Sequence, residues 1–138
     1  MMRVVQRIIL ISILCFFLFG CSFLVKELHL SAPAEIWAEE PPTSGFEATV
    51  STAYAVPNPY DGTSADLTVQ LTATGTGAGR LYLYPGTVII EKGTSVGTFN
   101  VSAIYDSLNP PLGPEFVTIT ARAIGYDEDS ATITIIFP

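Results

Sequence analysis

The chain has 138 residues, of which 49% are hydrophobic and 14% charged, with 13 acidic residues against 6 basic ones. That length suits one domain plus a short appendage, and so small a charged fraction excludes an acidic disordered tail. A formal charge of −7 argues against a nucleic-acid binder, which needs a basic face to displace counterions from phosphates. One histidine, His29, and two cysteines, Cys15 and Cys21, leave little for metal or nucleophilic chemistry.

The apolar residues are concentrated at the start. Arg3 and Arg7 precede an uncharged run from Ile8 to Phe19, closed by Gly20-Cys21. A basic segment, a short apolar segment and a small residue form an export signal. The stretch Leu18-Phe19-Gly20-Cys21 resembles the lipobox of bacterial lipoproteins. This resemblance implies cleavage after Gly20, leaving residues 1–20 as a signal peptide, and lipidation of the Cys21 sulfur. Phe19 departs from the pattern, which normally has a smaller residue there. The alternative is an uncleaved anchor, because Ile8 to Val25 contains no charge and just reaches the span of a bilayer. Either way Arg3 and Arg7 stay inside and the remainder is exported. Two or more acyl chains would anchor stably where one would not. Cys15 would leave with the signal and Cys21 would be thioether-bound, so no disulfide is expected.

From Cys21 onward the basic residues are Lys26, Arg80, Lys92 and Arg122, and all 13 acids lie here, for a net charge of −9. Anionic headgroups repel such a surface, so the anchor and not the domain must hold the membrane. Residues 21–45 read as the lipidated cysteine and a tether, broken at Pro33 and Pro41-Pro42, with a first strand near 28–38 as an option. Beyond it, 46–138 read as the domain. Apolar and polar residues alternate there with period two, as in Leu67-Thr-Val-Gln-Leu71 and Val117-Thr-Ile-Thr-Ala121. The pattern predicts strands at 46–53, 65–74, 80–84, 87–91, 96–105, 115–124 and 130–137. Turn residues lie between them: Pro57 to Gly62, Gly75 to Gly79, Pro85-Gly86, Lys92-Gly93 and Asn109 to Pro114. The expected fold is all-β, a single antiparallel immunoglobulin-like sandwich of seven to eight strands following the signal.

The segment Thr87 to Ser102 resembles the strand–glycine turn–strand core of Calx-beta-like repeats of bacterial surface proteins. Glu115 to Ala121, Ala123 to Tyr126 and Ser130 to Ile135 continue the likeness in order, and Ser64 to Leu71 resembles the preceding strand. The resemblance covers about residues 28–137 and implies a calcium site. Glu39 or Glu40, Asp106 and Glu115 fall at the places of the family's ligands. The family's acidic loop is replaced by Ser107 to Pro114, however, and calcium prefers six to eight oxygens. Asp127-Glu128-Asp129 is a tempting substitute, but it belongs at the opposite pole of a sandwich. The plain alternative is a set of solvated loop acids.

Tyr82 and Tyr84 share a strand face and could stack on sugars or a partner, or simply pack across strands. Trp37 could sit at the membrane surface or on the domain. The glycines at 75–79 lack the lysine and helix of a phosphate loop, and no base accompanies the many serines and threonines. The sequence therefore points away from an enzyme. It points to a lipid-anchored, exported binding, adhesion or assembly module of the bacterial cell envelope. The alternative is a calcium- or carbohydrate-binding module. With the last strand closing at Pro138, a lone accessory subunit is expected rather than a repeat array. Ser22 after the cysteine resembles an outer-membrane address for a Gram-negative host.

Overall fold

A computed structural model describes residues 26–42, 45–56 and 65–138. Cys21 and the whole signal segment lie outside the described residues, as does the turn within 57–64. Nine strands form: β1 (Leu28–Ser31), β2 (Glu35–Glu39), β3 (Phe46–Thr52), β4 (Leu67–Thr74), β5 (Leu81–Tyr84), β6 (Thr87–Ile90), β7 (Val96–Ile104), β8 (Glu115–Arg122) and β9 (Asp129–Ile136). Seven of them fall on the predicted segments to within a residue or two. The other two come from the stretch read as a tether.

β1, β3, β7 and β5 make one sheet, each pair antiparallel. β6, β4, β8 and β9 make the second, also antiparallel. β2 departs from the expected all-antiparallel pattern. It runs parallel to β9 through Glu35, Ile36 and Trp37, then parallel to β7 through Ala38 and Glu39. One five-residue strand thus crosses from sheet to sheet and closes one side of the sandwich. Its alternation explains the split: Ile36 and Ala38 are buried while Trp37 is 57% exposed, so a single apolar face serves both sheets.

The core is what the period-two pattern requires. Val69, Val101, Val117, Ile119, Ile133 and Ile135 are fully buried, and Phe99 is nearly so. Packing these apolar faces removes them from water. Two glycines answer close approaches, one by a side chain and one by backbone. A Cβ on Gly97 would lie 2.4 Å from Val88 Cγ1, where β6 tucks under β7. Gly75 has φ +114°, and its Cβ would lie 2.4 Å from the Phe116 carbonyl oxygen.

The strands run between two poles. Lys26, residues 53–56 and 65–66, and the connections 91–95 and 123–128 lie at the near pole, where the described chain starts. Residues 40–42 and Gly45, with the connections 75–80 and 105–114, lie at the far pole. β1 is tied in by hydrogen bonds outside its ladder: Leu28 N–H donates to Asp127 O (3.1 Å) and Leu30 N–H to Asp129 Oδ2 (2.7 Å). Gly75→Ala should cost about 2–3 kcal/mol in denaturant unfolding, since it meets both a disfavoured φ and a backbone clash. Gly113→Ala, with nothing within 4 Å of its Cβ, should stay within about 0.5 kcal/mol of the parent.

Candidate functional site

The far pole gathers most of the acids singled out by sequence. Glu40, Asp106 and Glu115 line one open groove of about 570 Å³ with Thr76, Arg80 and Tyr105. Glu40 follows β2, Asp106 follows β7 and Glu115 opens β8, so each sits where a strand meets a far-pole loop. Glu39 lies one residue back, in the β2–β7 ladder opposite Ile104. Among the described residues, no three of His, Cys, Asp or Glu come together in a group that could hold a metal ion.

What the sequence reading missed is Arg80. It ends a 3-10 turn, Ala78–Arg80, leading into β5, and its guanidinium stands among the carboxylates. Arg80 Nε lies 3.3 Å from Glu115 Oε2, with both side chains about one-fifth exposed. Its terminal nitrogen donates to Asn109 O at 2.9 Å, and the guanidinium carbon lies 5.5 Å from the centre of the Phe137 ring. Phe137 in turn packs against Tyr105, ring centres 6.2 Å apart. Glu115 Oε2 is buried and accepts no hydrogen bond, so the neighbouring positive charge is its compensation.

The remaining polar groups hold the loop from Ser107 to Pro114. Ser107 N–H donates to Glu40 Oε2 (3.3 Å), Leu108 N–H to Asp106 Oδ1 (2.9 Å), and the Asn109 side-chain amide to Asp106 Oδ2 (3.0 Å). Phe116 N–H donates to Thr76 Oγ1 at 3.1 Å. Pinned at both ends, the loop presents Leu108 at 88% exposure and Leu112 fully exposed. The Asn109 amide, then the Leu108 N–H, hold the Asp106 carboxyl below its ordinary pKa, with Arg80 adding a smaller pull. A lowered carboxylate pKa contributes stability above the unfolded value. That contribution is lost as pH falls through the lowered one. The loop is therefore expected to stay pinned at neutral pH and to loosen in acid.

The other candidates are dispersed. Asp127, Glu128 and Asp129 sit at the near pole, as the loop order implied, and serve structure: Asp129 receives Leu30 N–H, and Glu128 pairs with Arg122. Tyr82 and Tyr84 lie on the outer face of β5, 52% and 78% exposed, with Leu81 buried behind them. Trp37 lies on the outer face of β2 with Ile136 as its register partner. His29 is exposed on β1.

The sequence matches no known protein family and no curated protein. Solved structures do match in shape. The chain is similar to the periplasmic chaperone SfaE at 11% identity and a TM-score of 0.51, over 80% of this chain and 56% of the chaperone. It is also similar to the apo-form Calx CBD1 domain at 14% identity and a TM-score of 0.51, over 81% of this chain and 98% of that domain. A structure of the Salmonella enterica SafA pilin in complex with the SafB chaperone aligns at 12% identity and a TM-score of 0.49, over 82% of this chain and 54% of the matched one. This chain thus spans little more than half the length of the matched chaperone. At these identities the shared property is the fold, an all-β immunoglobulin-like sandwich.

If Arg80 and Glu115 compensate each other, Arg80→Met should cost about 1–3 kcal/mol by stranding a buried carboxylate. The double variant Arg80→Met/Glu115→Gln should recover much of that. Urea unfolding of the three proteins measures it. An Arg80→Met variant as stable as the parent would contradict the pairing.

Proposed function

We propose that the chain is a lipid-anchored, exported β-sandwich working as a non-catalytic binding or assembly module of the bacterial cell envelope. The observation that carries this reading is where the fold begins. β1 starts at Leu28, seven residues after the lipobox-like Gly20-Cys21, so at most about 25 Å of chain separates an acylated Cys21 from the sandwich. The near pole then faces the bilayer. The far pole, with its pinned loop and exposed Leu108 and Leu112, faces away and is the surface offered to a partner. Net charge of the exported part is strongly negative, which favours an anchor over direct adsorption to anionic lipid.

Likeness of fold to a periplasmic chaperone and to the Calx CBD1 domain is consistent with this assignment. Arg80 supports the metal-free form of the reading. A guanidinium already supplies, among Glu40, Asp106 and Glu115, the positive charge a calcium ion would bring. The experiment is intact-mass analysis of the protein extracted from bacterial membranes, beside Cys21→Ala. A mature chain beginning at Cys21 with added acyl mass, absent in the variant, is expected. A chain retaining Met1 or Met2 and carrying no acyl mass would contradict lipidation.

A further inference from the structure

The two sides of the sandwich are finished differently. On one side β2 seals the gap between the sheets, and the outward amides of β1 are taken by Asp127 O and Asp129 Oδ2. On the other side the second sheet ends at β6, which is covered where Ile89 O lies 3.3 Å from the Cβ position of Gly97. β5 has no such cover. It pairs with β7 along one edge, and among the described residues no strand lies along the other.

Which backbone groups face outward follows from β7. Thr52 N–H donates to Ser95 O, and Tyr105 N–H donates to Glu39 O, so odd-numbered residues on β7 bond toward β3 and β2. Even-numbered Asn100 and Ser102 therefore bond toward β5, where they face Tyr84 and Tyr82. In an antiparallel ladder the alternate residues turn away, so Leu81 and Leu83 direct their backbone groups outward. The Leu81 N–H is used by Ala78 O; among the described residues Leu83 is left as the centre of a free edge. Such an edge is a template for another strand.

Charge decides what can dock there. Residues 81–90 carry no charged side chain, nor do residues 96–104 of the adjoining β7, whereas the exported part as a whole has a net charge of −9. Two copies of so acidic a domain repel across most of their surfaces and meet least opposition here. The edge is also self-complementary. A two-fold axis at Leu83 places Tyr82 of one copy opposite Tyr84 of the other, twice, as cross-strand aromatic pairs.

We infer that β5 is a self-association edge, pairing antiparallel with β5 of a second copy of this chain about a two-fold axis at Leu83. The seam is short and the contact weak in solution; confinement to a membrane plane would raise the effective concentration. The inference does not depend on lipidation. Association should strengthen between about 0.05 and 0.5 M salt as like-charge repulsion is screened.

The test uses the full chain in detergent with Cys15→Ser and Cys21→Ser, so that only introduced thiols react. Tyr82→Cys and Tyr84→Cys are made as separate proteins. In the proposed register these two positions oppose each other at a Cα separation of about 4.5 Å, within disulfide range. A mixture of the two should therefore cross-link at least about tenfold faster than either alone. Both tyrosines are exposed, so folding is retained, and melting midpoints verify it. In sedimentation of the same background, Tyr82→Phe/Tyr84→Phe should keep the dimer and Tyr82→Lys/Tyr84→Lys should lose it. Equal cross-linking of all three samples, a chain that stays monomeric at high salt, or cross-links formed only to a different protein would each overturn the inference.

Discussion

β2 is the element on which the architecture turns. Its five residues bond to β9 at one end and β7 at the other, so two sheets that could otherwise slide are fixed along one side. That closure commits Ile36 and Ala38 to the core and places Glu40, the first residue after the strand, at the far pole. The bond from Ser107 N–H to Glu40 Oε2 then joins the β2 end to the loop after β7. Sealing one side also leaves the β5 side as the place where the sandwich can be extended.

At the far pole Arg80 compensates the buried carboxylate of Glu115. Arg80 contacts Glu115 and Asn109 and lies over Phe137, reaching from the β4–β5 connection to the β7–β8 loop and the last residues of the chain. Carboxylates that converge without compensation would repel each other and resist burial. Beside that pair, Glu40 and Asp106 accept hydrogen bonds from the loop amides, and a Pro- and Leu-rich loop is held in a defined shape. Pre-ordering of this kind lowers the entropy lost when such a loop meets a partner.

Seven strands were legible in the sequence because each carries its own evidence: alternating runs such as Phe99 to Tyr105 and Ala131 to Phe137, bounded by glycine and proline. β2 was not. Glu35-Ile-Trp-Ala-Glu39 is short, lies between Pro33 and Pro41, and gains its partners from β7 and β9, roughly 65 and 100 residues away along the chain. The departure of this one strand from the antiparallel pattern has the same reason, since parallel partners leave no local signal. The acids of the far pole could be placed from the resemblance and the loop order. Arg80 could not, because its partners are 29 and 35 residues distant and it follows a glycine-rich turn with no charge pattern.

The anchored, outward-facing arrangement is the central claim, and its most direct test is depth. A fluorophore is attached at Ile124→Cys on the near pole or at Leu112→Cys on the far pole of the full chain, in bacterial membranes supplemented with brominated lipid. Strands of about eight residues separate the poles by roughly 25 Å, well beyond contact quenching. Quenching at residue 124 with none at residue 112 is the predicted result. Equal quenching at both positions, or a chain that washes from the membrane, would contradict the account.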